Sequence, residues 1–188
     1  MKKRFIIAIV GMAGAGKTEA ASFFEKKGFS VLRFGAVVDE GIKEEGLPWT
    51  PDNNIYYREK IRQELGMAAV AIKMLPKIED VLIKNEKIIL DGLYSWEEYI
   101  YLMQKIPNLI LLCIYANPRI RYERLAARKE RKFNTTQARE RDIDEIEKAN
   151  KGGPIAISDY LIKNETTREY LYAELEKFYK EYNFNDTD

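Results

Sequence analysis

The 188-residue chain lacks histidine, contains a single cysteine, Cys113, and has a formal net charge of only +1. Without histidine, acid–base or metal chemistry must use carboxylate, lysine, tyrosine or hydroxyl side chains. One cysteine in an apolar run excludes a disulfide framework and indicates a buried thiol in a reducing cytoplasm. The small net charge gives no field for nucleic acid, and no apolar run approaches the ~20 residues of a membrane span. We therefore predict one cytoplasmic domain over 1–188 that binds neither nucleic acid nor membrane.

A glycine-rich segment follows the first apolar run. Residues 11–18 read Gly-Met-Ala-Gly-Ala-Gly-Lys-Thr, which is the complete G-x-x-x-x-G-K-[ST] pattern in its strand–turn–helix context. In this pattern the backbone N–H groups converge on phosphate oxygens, Lys17 reaches the β- and γ-phosphates, and the Thr18 hydroxyl binds Mg²⁺. An ordinary glycine-rich turn is the alternative. The predicted contacts with ATP are Gly11, Ala13, Gly14, Ala15, Gly16, Lys17, Thr18 and Glu19.

An acidic residue ends the apolar run 88–90. Asp91 precedes Gly92, and ligand sites in open α/β sheets lie at the carboxyl ends of strands. In phosphate-loop folds such an aspartate holds Mg²⁺ directly or through water, so Asp91 and Thr18 are the predicted metal ligands. The alternative is an ordinary strand-to-turn Asp-Gly.

Five short apolar segments alternate with helical ones along the chain. This order predicts a doubly wound α/β domain with a parallel sheet. Helix starts are indicated at Thr50-Pro51, at Ser95 with Glu98, and at Asn117-Pro118. The predicted strands are 4–10, 30–34, 87–91, 109–115 and 160–163. The predicted helices are 17–27, 36–45, 52–65, 67–84, 96–105, 118–131, 136–150 and 166–182.

Four arginines recur at helical spacing in the last third of the chain: Arg121, Arg124, Arg128 and Arg131. On the predicted helix 118–131 they form one basic stripe, whose like charges repel unless an anion or carboxylates face them. One interpretation is a solvated charged face. The other is a clamp over polyphosphate, in which arginines neutralise charge that develops during phosphoryl transfer and 119–150 forms a lid.

A second group of basic and aromatic residues lies around the predicted acceptor-binding region 36–84. Arg33 ends the second strand, and Arg58 and Arg62 lie one helical turn apart, so these side chains are candidates for holding an acceptor phosphate. Alternatively, Arg62 pairs with Glu59 on the same helix.

Together these landmarks resemble the nucleoside-monophosphate kinase group of phosphate-loop proteins, which includes adenylate, cytidylate and dephospho-coenzyme A kinases. Further matches run nearly end to end: Phe34-Gly35, Gly46-Leu47-Pro48, Arg124-Leu125-Ala126-Ala127-Arg128, Arg141-Asp142, Asp159-Tyr160 and Asn164-Glu165. The resemblance implies a three-layer P-loop NTPase fold, with a five-stranded parallel sheet, helices on both faces and a helical lid. It also implies that Arg124 packs near the donor base, Arg128 contacts phosphates and Asn164 lies near the donor adenosine.

Two regions depart from the pattern of these kinases. Ala36 and Asp39 stand where many of them have an aspartate and an arginine that grips the acceptor phosphate. Asp39 could instead accept a hydroxyl proton, as an aspartate does near this point in dephospho-CoA kinases. Tyr94 stands where archaeal relatives tend to have arginine. The predicted acceptor-binding residues are Arg33, Asp39, Arg58, Arg62 and Tyr94.

The function we expect is that of an ATP-dependent small-molecule kinase, which moves the γ-phosphoryl group to a nucleotide or nucleotide-like acceptor with the help of Mg²⁺. Dephospho-CoA kinase is the alternative among enzymes. A nucleotide-dependent switch or accessory NTPase is the alternative of another class.

Overall fold

A central parallel sheet organises the protein in the computed structural model, which describes residues 4–129 and 132–184. Its five strands follow the order β2-β3-β1-β4-β5, and every neighbouring pair is parallel. The strands are β1 (Phe5–Val10), β2 (Ser30–Arg33), β3 (Lys87–Asp91), β4 (Leu109–Tyr115) and β5 (Tyr160–Lys163). This parallel sheet confirms the predicted α/β class. The prediction rested on near-continuous apolar runs, which suit strands that are covered on both faces.

Nine helices connect and cover the strands within the described ranges. They are α1 (Lys17–Lys26), α2 (Phe34–Glu44), α3 (Pro51–Leu65), α4 (Ala69–Lys84), α5 (Trp96–Lys105), α6 (Pro118–Ala126), α7 (Thr135–Glu147), α8 (Gly152–Ala156) and α9 (Arg168–Glu181). The predicted start signals are confirmed. Thr50 accepts a hydrogen bond from the Asn53 N–H at 3.1 Å, and Ser95 and Glu98 form a reciprocal capping box.

Two apolar layers lie on opposite faces of the sheet and make the fold three-layered. On one face Phe34, Ile42, Met74 and other side chains of α2–α5 pack against alternate residues of β1 and β3. On the other face Phe24 of α1 and Phe178 of α9 belong to the second layer. No helix among the described residues combines the length and the apolar character needed to cross a bilayer.

The segment after β4 differs from its prediction. Helix α6 ends at Ala126 instead of 131, so Arg128 lies beyond the helix, and Arg131 lies outside the described residues. The physical reason is that α6 buries Arg121 and Leu125, whereas the positions a turn further on carry exposed Arg128 and Lys129 with nothing apolar to bury. The prediction of one continuous basic stripe is therefore wrong.

The chain then enters a second helix and a short third one. Asn134 and Gln137 form a capping box at the start of α7, which ends at Glu147, three residues before its predicted end at 150. The short helix α8 was not predicted. It packs against α5, where a Cβ added at Gly153 would lie only 2.6 Å from the Trp96 ring. This contact holds the chain that leaves α7 against the start of α5.

Candidate nucleotide and acceptor site

The glycine-rich loop lies at the carboxyl end of β1 and is fitted closely to its neighbours. Three of its glycines have left-handed backbone angles: Gly11 with φ 138°, Gly14 with φ 80° and Gly16 with φ 107°. A Cβ at Gly11 would lie 2.3 Å from the Ile114 carbonyl oxygen, and one at Gly14 would lie 2.7 Å from the Arg121 carbonyl oxygen. The loop path therefore needs glycine both for its backbone angles and for its close approach to β4 and α6.

The loop opens onto the amino end of α1, where backbone donors are available. Gly16 occupies the N-cap position and has no side chain with which to cap the first turn. The first N–H groups of a helix have no partner within the helix, and the helix dipole favours an anion there. The cradle thus has the donors and the field that a polyphosphate requires.

Lys17 folds back against the loop. Its ammonium group donates to the carbonyl oxygens of Gly11 at 2.8 Å and Met12 at 3.1 Å. Desolvation, and after it the positive charge of Lys151, lower the pKa of Lys17 to about 7. The negative charge of Glu145 opposes this shift. Lys17 therefore lies within electrostatic reach of the α7–α8 segment as well as of its own loop.

Thr18, Asp91 and Arg33 line one cavity of about 270 Å³ between α1 and the ends of β2 and β3. Burial raises the pKa of Asp91, while the charges of Lys17 and Arg33 lower it. No group of three or more metal-binding side chains occurs among the described residues. One hydroxyl and one carboxylate are enough for Mg²⁺, which keeps several waters and takes phosphate oxygens as its other ligands. The residues present therefore fit the ion that the resemblance implies.

Arg121 supports the loop and does not face the site. Its side chain is 4% exposed and binds both carboxylate oxygens of Asp142, at 2.9 and 2.5 Å. The same guanidinium donates to the carbonyl oxygens of Ala13 and Ala116, each at 3.0 Å. The interpretation of Arg121 as part of a polyphosphate clamp is therefore wrong, because all of these contacts lie within the protein.

A further loop carbonyl group, that of Ala15, also accepts a hydrogen bond from a side chain of the protein. The Asn164 amide donates to the Ala15 carbonyl oxygen at 2.8 Å, and a Cβ at Gly16 would lie 2.4 Å from that same amide nitrogen. Asn164 thus stabilises the conformation of the loop. Its contact with the donor adenosine stays a prediction. Ala13 and Ala15 both turn their carbonyl groups toward protein donors.

The other predicted nucleotide contacts differ in burial and in hydrogen bonding; they are Glu19, Arg124 and Arg128. Glu19 accepts hydrogen bonds from Arg168, at 3.1 Å, and from the Tyr172 hydroxyl, which ties α1 to α9. The Arg124 Nη1 atom is buried and has no hydrogen-bond partner within the described structure. Arg128 is exposed. The nucleotide contacts of all three residues stay predictions, and Arg124 has an unused buried donor with which to make one.

Two of the predicted acceptor-binding residues meet at the end of β3. The Arg58 guanidinium carbon lies 5.5 Å from the centroid of the Tyr94 ring, and Arg58 Nε donates to Asn54 at 2.9 Å. Burial raises the pKa of Tyr94, so the hydroxyl stays protonated, while the charge of Arg58 opposes the shift.

Three residues that were not among the predicted site residues complete this group. The Lys151 ammonium lies 4.7 Å from the centroid of the Tyr94 ring and 2.6 Å from a Glu145 carboxylate oxygen. The other Glu145 oxygen accepts a hydrogen bond from Arg141 Nε at 3.0 Å. Arg141 had two sequence signals, the Arg141-Asp142 landmark of the resemblance and its four-residue separation from Glu145. Lys151 had none, since it precedes two glycines with no helical pattern around it.

Asp39 and Arg62 have other neighbours. Asp39 accepts a hydrogen bond from the Trp49 indole N–H at 2.8 Å and lines a separate cavity of about 410 Å³. Burial lowers the pKa of Arg62, and the charge of Glu98 opposes that shift. Arg62 Nε is buried with no hydrogen-bond partner within the described structure. Acceptor binding by Asp39 and Arg62 stays a prediction.

Comparison with known sequences shows the family to which the chain belongs. A family profile described as an AAA domain matches residues 7–148. A UPF0200 protein of Thermococcus kodakarensis is 34% identical over 180 residues, which cover 94% of this chain and 97% of the relative. The chain is a UPF0200 family member with an AAA domain.

Solved structures show which fold this UPF0200 protein shares. The dephospho-CoA kinase from Campylobacter jejuni superposes with a TM-score of 0.60 at 14% identity, covering 94% of this chain and 96% of the kinase. The shikimate kinase from Acinetobacter baumannii, solved in complex with shikimate, superposes with a TM-score of 0.59 at 14% identity, covering 96% of each chain. This UPF0200 protein therefore has the fold of P-loop kinases.

Proposed function

We propose that this UPF0200 protein is an ATP-dependent kinase that transfers the γ-phosphoryl group, with Mg²⁺, to a nucleotide or nucleotide-like acceptor. The observation that carries the proposal is the position of Asp91. Asp91 lines one cavity with Thr18, which follows the phosphate loop, and with Arg33, and its negative charge also raises the pKa of Lys17 and of Tyr94. A kinase needs donor and acceptor sites that adjoin each other, because the attacking oxygen of the acceptor must lie in line with the leaving oxygen of the donor phosphate.

On the donor side the loop and the first turn of α1 would bind the β- and γ-phosphates through backbone N–H groups. Lys17 would exchange the carbonyl oxygens of Gly11 and Met12 for charged phosphate oxygens, which are stronger hydrogen-bond acceptors. Thr18 and Asp91 would hold Mg²⁺, which neutralises charge on the β- and γ-phosphates when bound.

On the acceptor side the cations around Tyr94 would orient the incoming group. Arg33 lines the cavity that contains Asp91, and Arg58 lies against Tyr94. These residues supply positive charge next to the place where the transferred group develops negative charge. Catalysis would come from positioning and charge stabilisation, and no side chain of the protein needs to form a covalent intermediate.

The test is a coupled assay of ADP release with ATP and Mg²⁺ against a panel of nucleoside monophosphates, nucleosides and dephospho-CoA. We expect ADP release that depends on one class of acceptor and is lost in Lys17→Ala. Lys26→Ala, an exposed lysine on the same helix, is the matched control and should keep full activity. Turnover with dephospho-CoA alone would select the alternative enzyme. Slow hydrolysis that no acceptor stimulates would contradict the kinase and favour a nucleotide-dependent switch.

A further inference from the structure

We infer that Lys151, Arg141 and Arg58 form an anion subsite around Tyr94 that binds a phosphate monoester on the acceptor, and that Glu145 occupies this subsite in the free protein. The inference rests on the proposed kinase function and narrows its acceptor to molecules that already carry a phosphate group.

Lys151 is far more deeply buried than most lysines. The residue is 2% exposed, and lysines are almost never so buried unless they are paired. The chain on both sides of Lys151 is held against α5. The Asn150 amide donates to Glu97 at 2.7 Å, and Gly153 packs on the Trp96 ring. The ammonium group is thus held over Tyr94 by the surrounding structure, which is the preorganisation that a binding site requires.

The positive charges around Lys151 outnumber the one negative charge of its partner Glu145. Glu145 shares its single negative charge between Lys151, at 2.6 Å, and Arg141, at 3.0 Å. Arg58 lies against the same Tyr94 ring, and Lys151 and Arg141 both act on the nearby Lys17. Arg58, Arg141 and Lys151 outnumber Glu145, and because Lys151 is buried, water screens its charge poorly. This favours a ligand with more negative charge than one carboxylate.

A phosphate monoester meets this requirement better than other acceptor groups. It carries up to two negative charges and three oxygens, so it can accept charge-assisted hydrogen bonds from several cations at once. A hydroxyl acceptor would add no charge, and a single carboxylate would only replace the charge of Glu145. Tyr94 lies three residues after Asp91 at the end of β3, so a phosphate bound here would lie beside the metal and the donor phosphates.

The experiment fills the phosphate loop first and then probes the subsite. The whole protein is saturated with Mg²⁺ and the non-hydrolysable ATP analogue AMP-PNP, and inorganic phosphate is titrated in by calorimetry, with acetate as the anion of single charge. We expect phosphate to bind and acetate not to bind. Lys151→Met should weaken phosphate binding by about 30-fold or more, as expected when a buried charge contact is lost. Lys151→Arg should restore most of the affinity.

Two further variants separate binding from a structural role. Lys148→Met changes an exposed lysine near the end of α7 that pairs with Asp144, and it should leave phosphate affinity unchanged. Glu145→Gln should raise phosphate affinity, because the internal competitor loses its charge. This variant keeps the inference testable if Lys151→Met fails to fold. A purely structural ion pair predicts no gain.

Three results would overturn the inference: equal phosphate affinity in the native protein and Lys151→Met, acetate binding as tightly as phosphate, or no gain in Glu145→Gln. Any of them leaves the proposed kinase function standing. Failure of AMP-PNP to bind in the first step would overturn the proposed function and this inference with it.

Discussion

Removal of one partner from the Arg121–Asp142 ion pair should destabilise the protein strongly. Both residues are buried, at 4% and 7% exposure. In Arg121→Met the Asp142 carboxylate keeps the hydroxyl of Tyr122, at 2.9 Å, but loses two charge-assisted bonds, and the Ala13 carbonyl loses its donor. Breaking a buried pair in this way costs about 3–5 kcal/mol. For a chain of this length each kcal/mol shifts Tm by about 2–4 °C, so we expect a fall of about 6–20 °C.

The assay is a double-mutant cycle on the free energy of unfolding, measured in urea and by thermal scans. Arg121→Met and Asp142→Leu should each be costly, and the double variant should lose much less than the sum of the two, because it leaves no unpaired buried charge. Arg119→Met is the control, since its pair with Glu123 is 87% and 66% exposed and surface pairs contribute about 0–1 kcal/mol. Additive losses, or a loss in Arg121→Met no larger than the control, would refute the reasoning. A clamp arginine would behave in the opposite way, with stability kept and turnover lost.

Four other outcomes follow from the site. Lys17→Ala should weaken ATP binding by about 2–5 kcal/mol in calorimetry while Tm changes little, and an unchanged affinity would contradict its phosphate contact. Asp91→Asn should lower turnover far more than ATP affinity, and equal losses would make Asp91 structural. Arg128→Gln should keep Tm, because the side chain is exposed, yet reduce turnover by ~10²-fold if it contacts the transferred phosphate; unaltered steady-state turnover would rule that contact out. Cys113 is buried, and burial raises its thiol pKa to about 11, so iodoacetamide should label it only after denaturation; rapid labelling of the native protein would show otherwise.

Local chemistry explains which features of the fold could be predicted. The runs of β1 and β4 are apolar at consecutive positions, which suits strands buried on both faces, and both were predicted to within a residue. Ser95 and Glu98 lie three residues apart and satisfy each other's backbone N–H groups, so the start of α5 depends on neighbours in sequence alone. The phosphate loop was predictable for the same reason, because strand, turn and helix are consecutive.

The surroundings of the four arginines in 121–131 could not be predicted from their spacing. Helical spacing says which side chains share a face, but not what that face meets. Arg121 meets Asp142, which lies 21 residues later in the sequence and belongs to another helix. Arg128 was assigned to the same face, but α6 stops at Ala126, because Leu125 is its last buried side chain and Arg128 and Lys129 in the next turn are exposed. Both outcomes depend on tertiary contacts, which spacing alone does not encode.

Tertiary contacts also explain how Tyr94 can stand where related kinases have arginine. The sequence comparison within monophosphate kinases leads one to expect a cation at this position, and its replacement by an aromatic ring puts ordinary acceptor binding in doubt. In the folded protein the ring lies within cation–π distance of two cations from elsewhere, Arg58 of α3 and Lys151 between α7 and α8. A tyrosine can orient such groups through its ring while keeping its own hydroxyl neutral. We therefore infer that positive charge is supplied from neighbouring elements, and that acceptor binding is redirected at Tyr94 and not abolished there.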